Sequence, residues 1–272
     1  MEKRFPLNKP IAIAMAMFHA GAIAALFFFT WQNLLLFFCS WALMGISITF
    51  CYHRLMTHRG FKTPRWLEYV SVTLSNLPLQ GDPVKWVGMH RLHHKYAEIP
   101  GMDPHTPRDG SWWAHMDWML HPDPKFLDRG LLRKMARDLY AHSYYRWLEN
   151  FMWVPLTVWG ILCFLLGGFP AILWGVGLPV VVCWHATWLV NSGTHMWGSR
   201  RYKDGHDAEN DSRNNWWIAL LTWGEGWHNN HHHAPVSARH GLAWYEIDVT
   251  WEIIKLLRLL GLVWDVNEAE LD

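Results

Sequence analysis

Charge is missing from two long stretches of this chain. Between Pro10 and His53 there is no Asp, Glu, Lys or Arg, and between Asn150 and Ser199 there is again none. Neither segment can form the surface of a soluble domain. Each has room for two helices of the about 20 mainly apolar residues that cross a bilayer, joined by a turn. Cysteine is scarce: Cys39, Cys51, Cys163 and Cys183 all lie in the uncharged runs, and no two are spaced C-x-x-C. That excludes a disulfide framework and a thiolate metal site, and the four read as small buried hydrophobes. The net charge is only +1. With no basic stripe, nucleic-acid binding is excluded. Internal repeats and low-complexity segments are also lacking.

Histidine and tryptophan are abundant instead, with 18 and 21 copies. The histidines fall in three clusters: His53-Arg-Leu-Met-Thr-His58, His90-Arg-Leu-His93-His94 and His228-Asn-Asn-His231-His232. Neutral imidazole is the commonest side-chain metal ligand. Positions i, i+3 and i+4 share a helix face, so each of the last two clusters can offer its rings to one point. His53 and His58 lie roughly 140° apart on an ideal helix. They are expected to serve different sides of a site, or the helix ends between them. Eight imidazoles are too many for one four-coordinate zinc and suit two adjacent transition metals. Asn191 and His195, four apart near the end of an apolar run, add a ninth ring and an amide. His185, about 15 Å deeper along the helix, is too far to join them. It reads as a hydrogen-bonded core residue, and so does His19. His233 sits on a different face from His228 and reads as peripheral.

The expected architecture is an all-α integral membrane protein with four transmembrane helices in two hairpins. A cytosolic helical cap, residues 53–150 and 196–272, holds a di-metal site. The spans fall at about 10–31, 34–52, 151–168 and 171–195. Turns are expected at Gln32-Asn33 and at Gly167-Gly168-Phe169-Pro170. Lys3, Arg4 and Lys9 precede the first hairpin and neither turn carries a cation, so both termini face the cytoplasm and all three clusters share one side. The first apolar stretch is too long for a signal-peptide core, and no cleavage is expected. Within the cap, 66–79 reads as an interfacial segment and 84–98 as a helix. The proline-rich 100–125 reads as a loop with short turns, and 131–149, 210–223 and 245–264 as helices.

These patterns, H-x4-H followed by two copies of H-x2-H-H on four spans, resemble the membrane-bound fatty acyl desaturases over nearly the whole chain. Tyr52–Arg59, Trp86–Lys95, Thr187–His195 and Gly224–His232 resemble the delta-9 branch. The last, with Ser237–Gly241, is most similar to cyanobacterial acyl-lipid desaturases. The resemblance implies nine histidine ligands for two iron ions: His53, His58, His90, His93, His94, His195, His228, His231 and His232. It implies that Asn191 reaches one iron through water. It also implies a bent acyl tunnel with Gln80, Trp86 and Thr187 at the bend, and a role for Trp41 and Gly45 in setting chain length. Trp41 lies twelve residues before His53, about 18 Å deeper at about 1.5 Å per residue. It is expected to close the tunnel, with Gly45 leaving space above its indole. Two positions depart from the acyl-CoA members: Gly88-Met89 replaces an Arg-Asp pair, and Gly81 an Asn. Both favour a lipid-bound acyl chain over acyl-CoA.

The implied reaction takes dioxygen, two electrons and two protons and leaves a cis double bond, expected at delta-9, and two waters. Iron supplies redox chemistry that zinc lacks, although zinc can occupy the same nitrogen ligands after overexpression. Asp103 and Glu225 are candidates to orient ligand imidazoles. There is no His-Pro-Gly-Gly haem signature and no cysteine cluster, so electrons come from a separate donor, with ferredoxin implied. A cyanobacterial thylakoid or plasma membrane is the implied location. The rival readings are an acyl-CoA desaturase, a fatty acyl hydroxylase on the same scaffold and, from another class, a metal transporter.

Overall fold

A computed structural model describes residues 5–203 and 211–269; Lys3, Arg4 and Asn210 lie outside them. The described residues form helices and turns, with three isolated β-bridges and no strand. Among the described residues three helical stretches are long and apolar enough to cross a membrane: Lys9–Phe28, Trp31–Thr57 and Val154–Met196.

The first stretch comprises α1 (Lys9–Ala25) and a 3-10 turn, Leu26–Phe28. The chain then reverses at Phe29 and Thr30, not at Gln32-Asn33. The Thr30 hydroxyl accepts from the amide of Asn33 (3.1 Å), and the Asn33 side chain donates to the carbonyl of Phe28 (2.8 Å). Those two bonds satisfy the exposed ends of both helices, so Asn33 acts from inside the first turn of α2 (Trp31–Ser47).

From Ile48 to Thr57 the helix continues with π geometry. A π-helix closes i→i+5 hydrogen bonds, and the amide of His58 donates to the carbonyl of His53 (3.2 Å). Residues five apart therefore come onto one side. Of the two expectations for this pair, service on different sides is overturned, since the ring centroids lie 4.8 Å apart, while the helix does end between them, at Thr57.

The third apolar stretch is two antiparallel helices. The backbone leaves the helical region at Gly167 and at Gly168 (φ 66°), inside α7 (Val154–Ile172). Positive φ there favours glycine, and the reversal falls where the sequence places it. A π turn, Leu173–Gly177, leads into α8 (Leu178–Met196). Indoles satisfy carbonyls where the helices are irregular. Trp159 donates to Gly175 (2.9 Å) and Trp174 to Ala25 (2.8 Å). An apolar surrounding demands such partners, which gives part of the tryptophan content a structural role. His19 and His185 are hydrogen-bonded to each other (3.0 Å), and His185 also to His115 (3.1 Å), joining α1 to α8.

The other helices include α3 (Arg65–Ser75), α4 (Pro83–Lys95), α5 (Arg129–Met135), α6 (Ser143–Phe151), α9 (Trp216–Leu221), α10 (His228–His233) and α11 (Val249–Leu259). The stretch expected as one helix over 131–149 is broken twice. Arg91 donates to the carbonyl of Met135 (2.9 Å), and Arg146 to those of Tyr140 and Ala141 (2.8 and 2.9 Å). These bonds cap early helix ends. Of the stretch expected as a helix over 210–223, the described part, 211–223, is helical only over Trp216–Leu221, because Asn214 pairs its backbone with Ser199 and the Asn215 side chain caps the start.

Candidate metal centre

The nine histidines converge into two groups. His53, His58, His90, His94 and His231 form one, and His93, His195, His228 and His232 the other. Their positions follow from local geometry. Within α4 the i, i+4 pair His90 and His94 turns to the first group while His93 turns to the second. In α10 His228 and His232 join the second group while His231 joins the first. The second and third clusters therefore each span both groups, which corrects the expectation that each converges on one point, while His53 and His58 both belong to the first group.

Ring nitrogens face one another inside the groups. Nε2 of His53 lies 3.1 Å from that of His231, His231 3.1 Å from His94, and His94 3.1 Å from His90. Each nitrogen carries one hydrogen or one lone pair. In this row of four, at most two of the three contacts can be hydrogen bonds. A cation satisfies all of them, and the spacing suits nitrogens about 2.1 Å from a common ion at roughly right angles. The second group repeats the pattern, with His228 3.0 Å from both His195 and His232. Nε2 of His58 is buried with no hydrogen-bond partner. The donor set, all imidazole, suits a transition metal.

Carboxylates hold the outer nitrogens. Nδ1 of His53 lies 2.5 Å from Glu225, Nδ1 of His93 3.0 Å from Asp103, and Nδ1 of His195 bonds Glu98. An Nδ1–H shared with a carboxylate leaves the Nε2 lone pair pointing inward. Burial would raise the carboxyls of Asp103 and Glu225, but the imidazoles beside them hold both well below the usual range. Burial, and then the neighbouring rings, keeps His58, His90, His94, His228, His231 and His232 far below the ordinary histidine value. Rings held neutral in this way are ready to coordinate a metal.

Comparison with known proteins identifies this arrangement. Residues 29–259 match the family described as fatty acid desaturase. The chain is 43% identical to an sn-2 palmitoyl-lipid 9-desaturase of Nostoc sp. (strain 36) over 251 residues, 92% of this chain and 87% of the relative. It is 43% identical to an sn-1 stearoyl-lipid 9-desaturase of Anabaena variabilis, covering 85% and 82%. It is also 44% identical to an acyl-CoA C20 Delta5-desaturase of Anemone leveillei, covering 88% and 75%. The chain belongs to the fatty acid desaturase family.

In this desaturase an apolar cavity reaches the histidines, and Trp41, His53, His90, Asn191 and His228 all line it. Gln80, Trp86 and Thr187 meet on its wall. The Gln80 amide donates to the Thr187 hydroxyl (2.8 Å) and accepts from the Trp86 indole (3.3 Å). Gly45 lies under Trp223, whose indole Nε1 would be 2.2 Å from an added Cβ. Gly88 packs under α5, where an added Cβ would lie 2.8 Å from the carbonyl of Leu132. His233 stands apart from both groups, stacked on Tyr202 (3.7 Å).

Sequence reasoning missed four residues of this desaturase's centre. Glu98 ends the α4 segment in a left-handed turn (φ 62°) and holds His195. Its only sequence signal is an acid four residues past His94. His240 lies over His231 at 4.4 Å and beside Glu225 at 3.4 Å, and burial pushes it down to about 4. Arg54, with no exposed surface, binds Glu225 (3.0 Å) and Asp248 (2.9 Å). Trp223 lines the cavity.

Proposed function

We propose that this desaturase introduces a cis double bond at the delta-9 position of a saturated acyl chain carried on a membrane glycerolipid. In the proposed reaction one CH2–CH2 unit, dioxygen, two electrons and two protons yield one CH=CH unit and two waters. The observation that carries the reading is the two histidine groups, five and four rings, lying side by side on one apolar cavity. Two iron ions held by the nine histidines, with Asn191 reaching one through water, would supply the oxidising power that an unactivated methylene requires. The protein's own task is registry. Gln80, Trp86 and Thr187 form a bonded wall that bends the chain. Trp41 and Gly45 lie deeper and limit its length. Glu225, Asp103 and Glu98 keep the ring nitrogens oriented.

The glycerolipid assignment is supported by the names of the Nostoc and Anabaena relatives. A second support is Gly88, which is covered by α5 and presents no polar contact for a coenzyme A group. In the proposed topology α1, α2 with its π segment, α7 up to Gly167 and the helix after it make four spans. Residues 1–272 make a single desaturase domain, with 53–150 and 196–272 as its cap on the cytoplasmic side together with both termini. Ferredoxin is the proposed electron donor, and a cyanobacterial-type membrane the proposed location.

The test is the lipid profile of a host expressing the chain. Monounsaturated glycerolipid with a delta-9 cis bond is expected, absent with His53→Ala, His94→Ala or His231→Ala and largely retained with His233→Ala. Hydroxylated product, or turnover of stearoyl-CoA more efficient than that of acyl lipid, would replace the reading with one of its rivals. Full activity in any of the three alanine variants would remove that residue from the ligand set.

A further inference from the structure

Trp223 is the residue that Gly45 makes room for. It stands two positions before Glu225 and five before His228, in the segment that delivers both to the centre. Its backbone is left-handed (φ 58°). Its carbonyl accepts from both the amide and the hydroxyl of Thr250 (each 2.9 Å), and that hydroxyl lies 2.7 Å from Thr49 of the π segment. The main chain is therefore pinned while the ring is not. Nε1 of Trp223 is buried with no hydrogen-bond partner, and so is Nε1 of Trp41. The two indoles touch, with centroids 4.8 Å apart and planes 49° from parallel, and Trp41 stacks on Phe37 behind it at 6.0 Å. Both indoles and Gly45 line the cavity that holds His53 and His228. A Cβ on Gly45 would lie 2.2 Å from Nε1 and 2.7 Å from Cδ1 of Trp223. These separations are far inside van der Waals contact, so the ring would have to leave its seat.

We propose that Trp223 is a specificity-determining residue: a cap-borne wall that, resting on bare Gly45 and against Trp41, sets how long an acyl chain the cavity accepts. This rests on the acyl-chain reading above. The length limit is then shared between a span and the segment bearing the third histidine cluster, and a side chain at position 45 acts through the indole it displaces. Shape alone does the selecting, because an indole N–H without a partner offers nothing to a saturated chain except contact. Removing the ring deepens the cavity. Adding a methyl at Gly45 drives the ring into it. One methylene of misfit in an apolar pocket changes discrimination by about tenfold or more.

The experiment expresses the full chain and its variants in one host and measures chain length and double-bond position in membrane glycerolipids, with protein level as control. Trp223→Leu is expected to move the longer-to-shorter product ratio up about tenfold, and Trp223→Phe to move it the same way by less. Gly45→Ala should move it down. In the Trp223→Leu background, Gly45→Ala should have no further effect. The double bond should keep its position throughout, because the Gln80–Trp86–Thr187 wall is untouched. Should Trp223→Leu fail to accumulate, Trp223→Phe and its combination with Gly45→Ala make the same comparison. A parental length profile in both Trp223 variants at parental conversion overturns the inference. So does a Gly45→Ala effect that is undiminished without the indole. If the parent chain itself forms no unsaturated lipid, the acyl-chain reading falls and takes this inference with it.

Discussion

Glu98 is fully buried, accepts from the Thr106 hydroxyl (2.6 Å) and holds Nδ1 of His195. Burial would raise its carboxyl, but the bond to His195 holds it below the ordinary value. The negative charge therefore persists beside the ring and fixes its outer nitrogen as the donor. Glu98→Gln keeps the shape and removes the charge. Nδ1–H then meets a weaker acceptor, and the ring loses basicity where it faces the metal position. Partners of this kind are typically worth about 10- to 100-fold in metal affinity. Metal content after dialysis against a graded chelator should fall by that order in Glu98→Gln, with helix content unchanged by circular dichroism. Parental retention at every chelator concentration would reduce Glu98 to a folding contact.

The helical clusters were legible because they obey a 3.6-residue period, and so was the reversal at Gly167-Gly168, where the positive φ of Gly168 favours glycine. The π segment was not, since nothing in Ile48–Thr57 distinguishes five-residue closure from four until the packing is known. Nor were the breaks near Met135 and Tyr140, made by Arg91 and Arg146 reaching carbonyls outside their own turns. Glu98 and Trp223 were hidden for the same reason: their importance lies in contacts with His195 and Gly45, far away in sequence. Packing between elements gives its own prediction. Gly88 lets α4 and α5 approach until an added Cβ would lie 2.8 Å from one backbone oxygen and 3.2 Å from the Leu132 Cα. Backbone cannot swing aside as a side chain can. Gly88→Ala should therefore separate the helices at a cost of about 1–3 kcal/mol, read as a lower Tm in detergent. An unchanged Tm would mean that α5 is loosely held and that the covering of Gly88 does not restrict the substrate.

At the scale of the whole molecule, buried charged groups lie beside the histidines among the described residues. Arg54, Glu225 and Asp248 form one buried ionic set, and the buried Asp103 carboxylate accepts from the backbone amides of Glu98 and His105. Their titration fixes a direction for the response to acid. Burial, then its neighbour His93, pushes His105 down to about 3, and burial pushes His240 down to about 4, against an ordinary 6.5. Both bind fewer protons folded than unfolded between those values, so stability falls as pH drops from about 6.5 toward 4 and then 3. Glu98, Glu225 and Asp103 are held below their ordinary 4.5, 4.5 and 3.8. Their contribution is present above those values and is lost as pH falls further, so it has the same sign. Protons also compete with a metal for the ring nitrogens, adding a third loss in the same direction. The Tm in detergent should therefore be level above about pH 7 and fall steadily below 6.5, with metal released over the same range, and the metal-free protein should show the smaller part of the fall. A Tm that held or rose between pH 6.5 and 4 would mean that these histidines are charged in the folded protein. The neutral-ring geometry on which both metal groups depend would then be wrong.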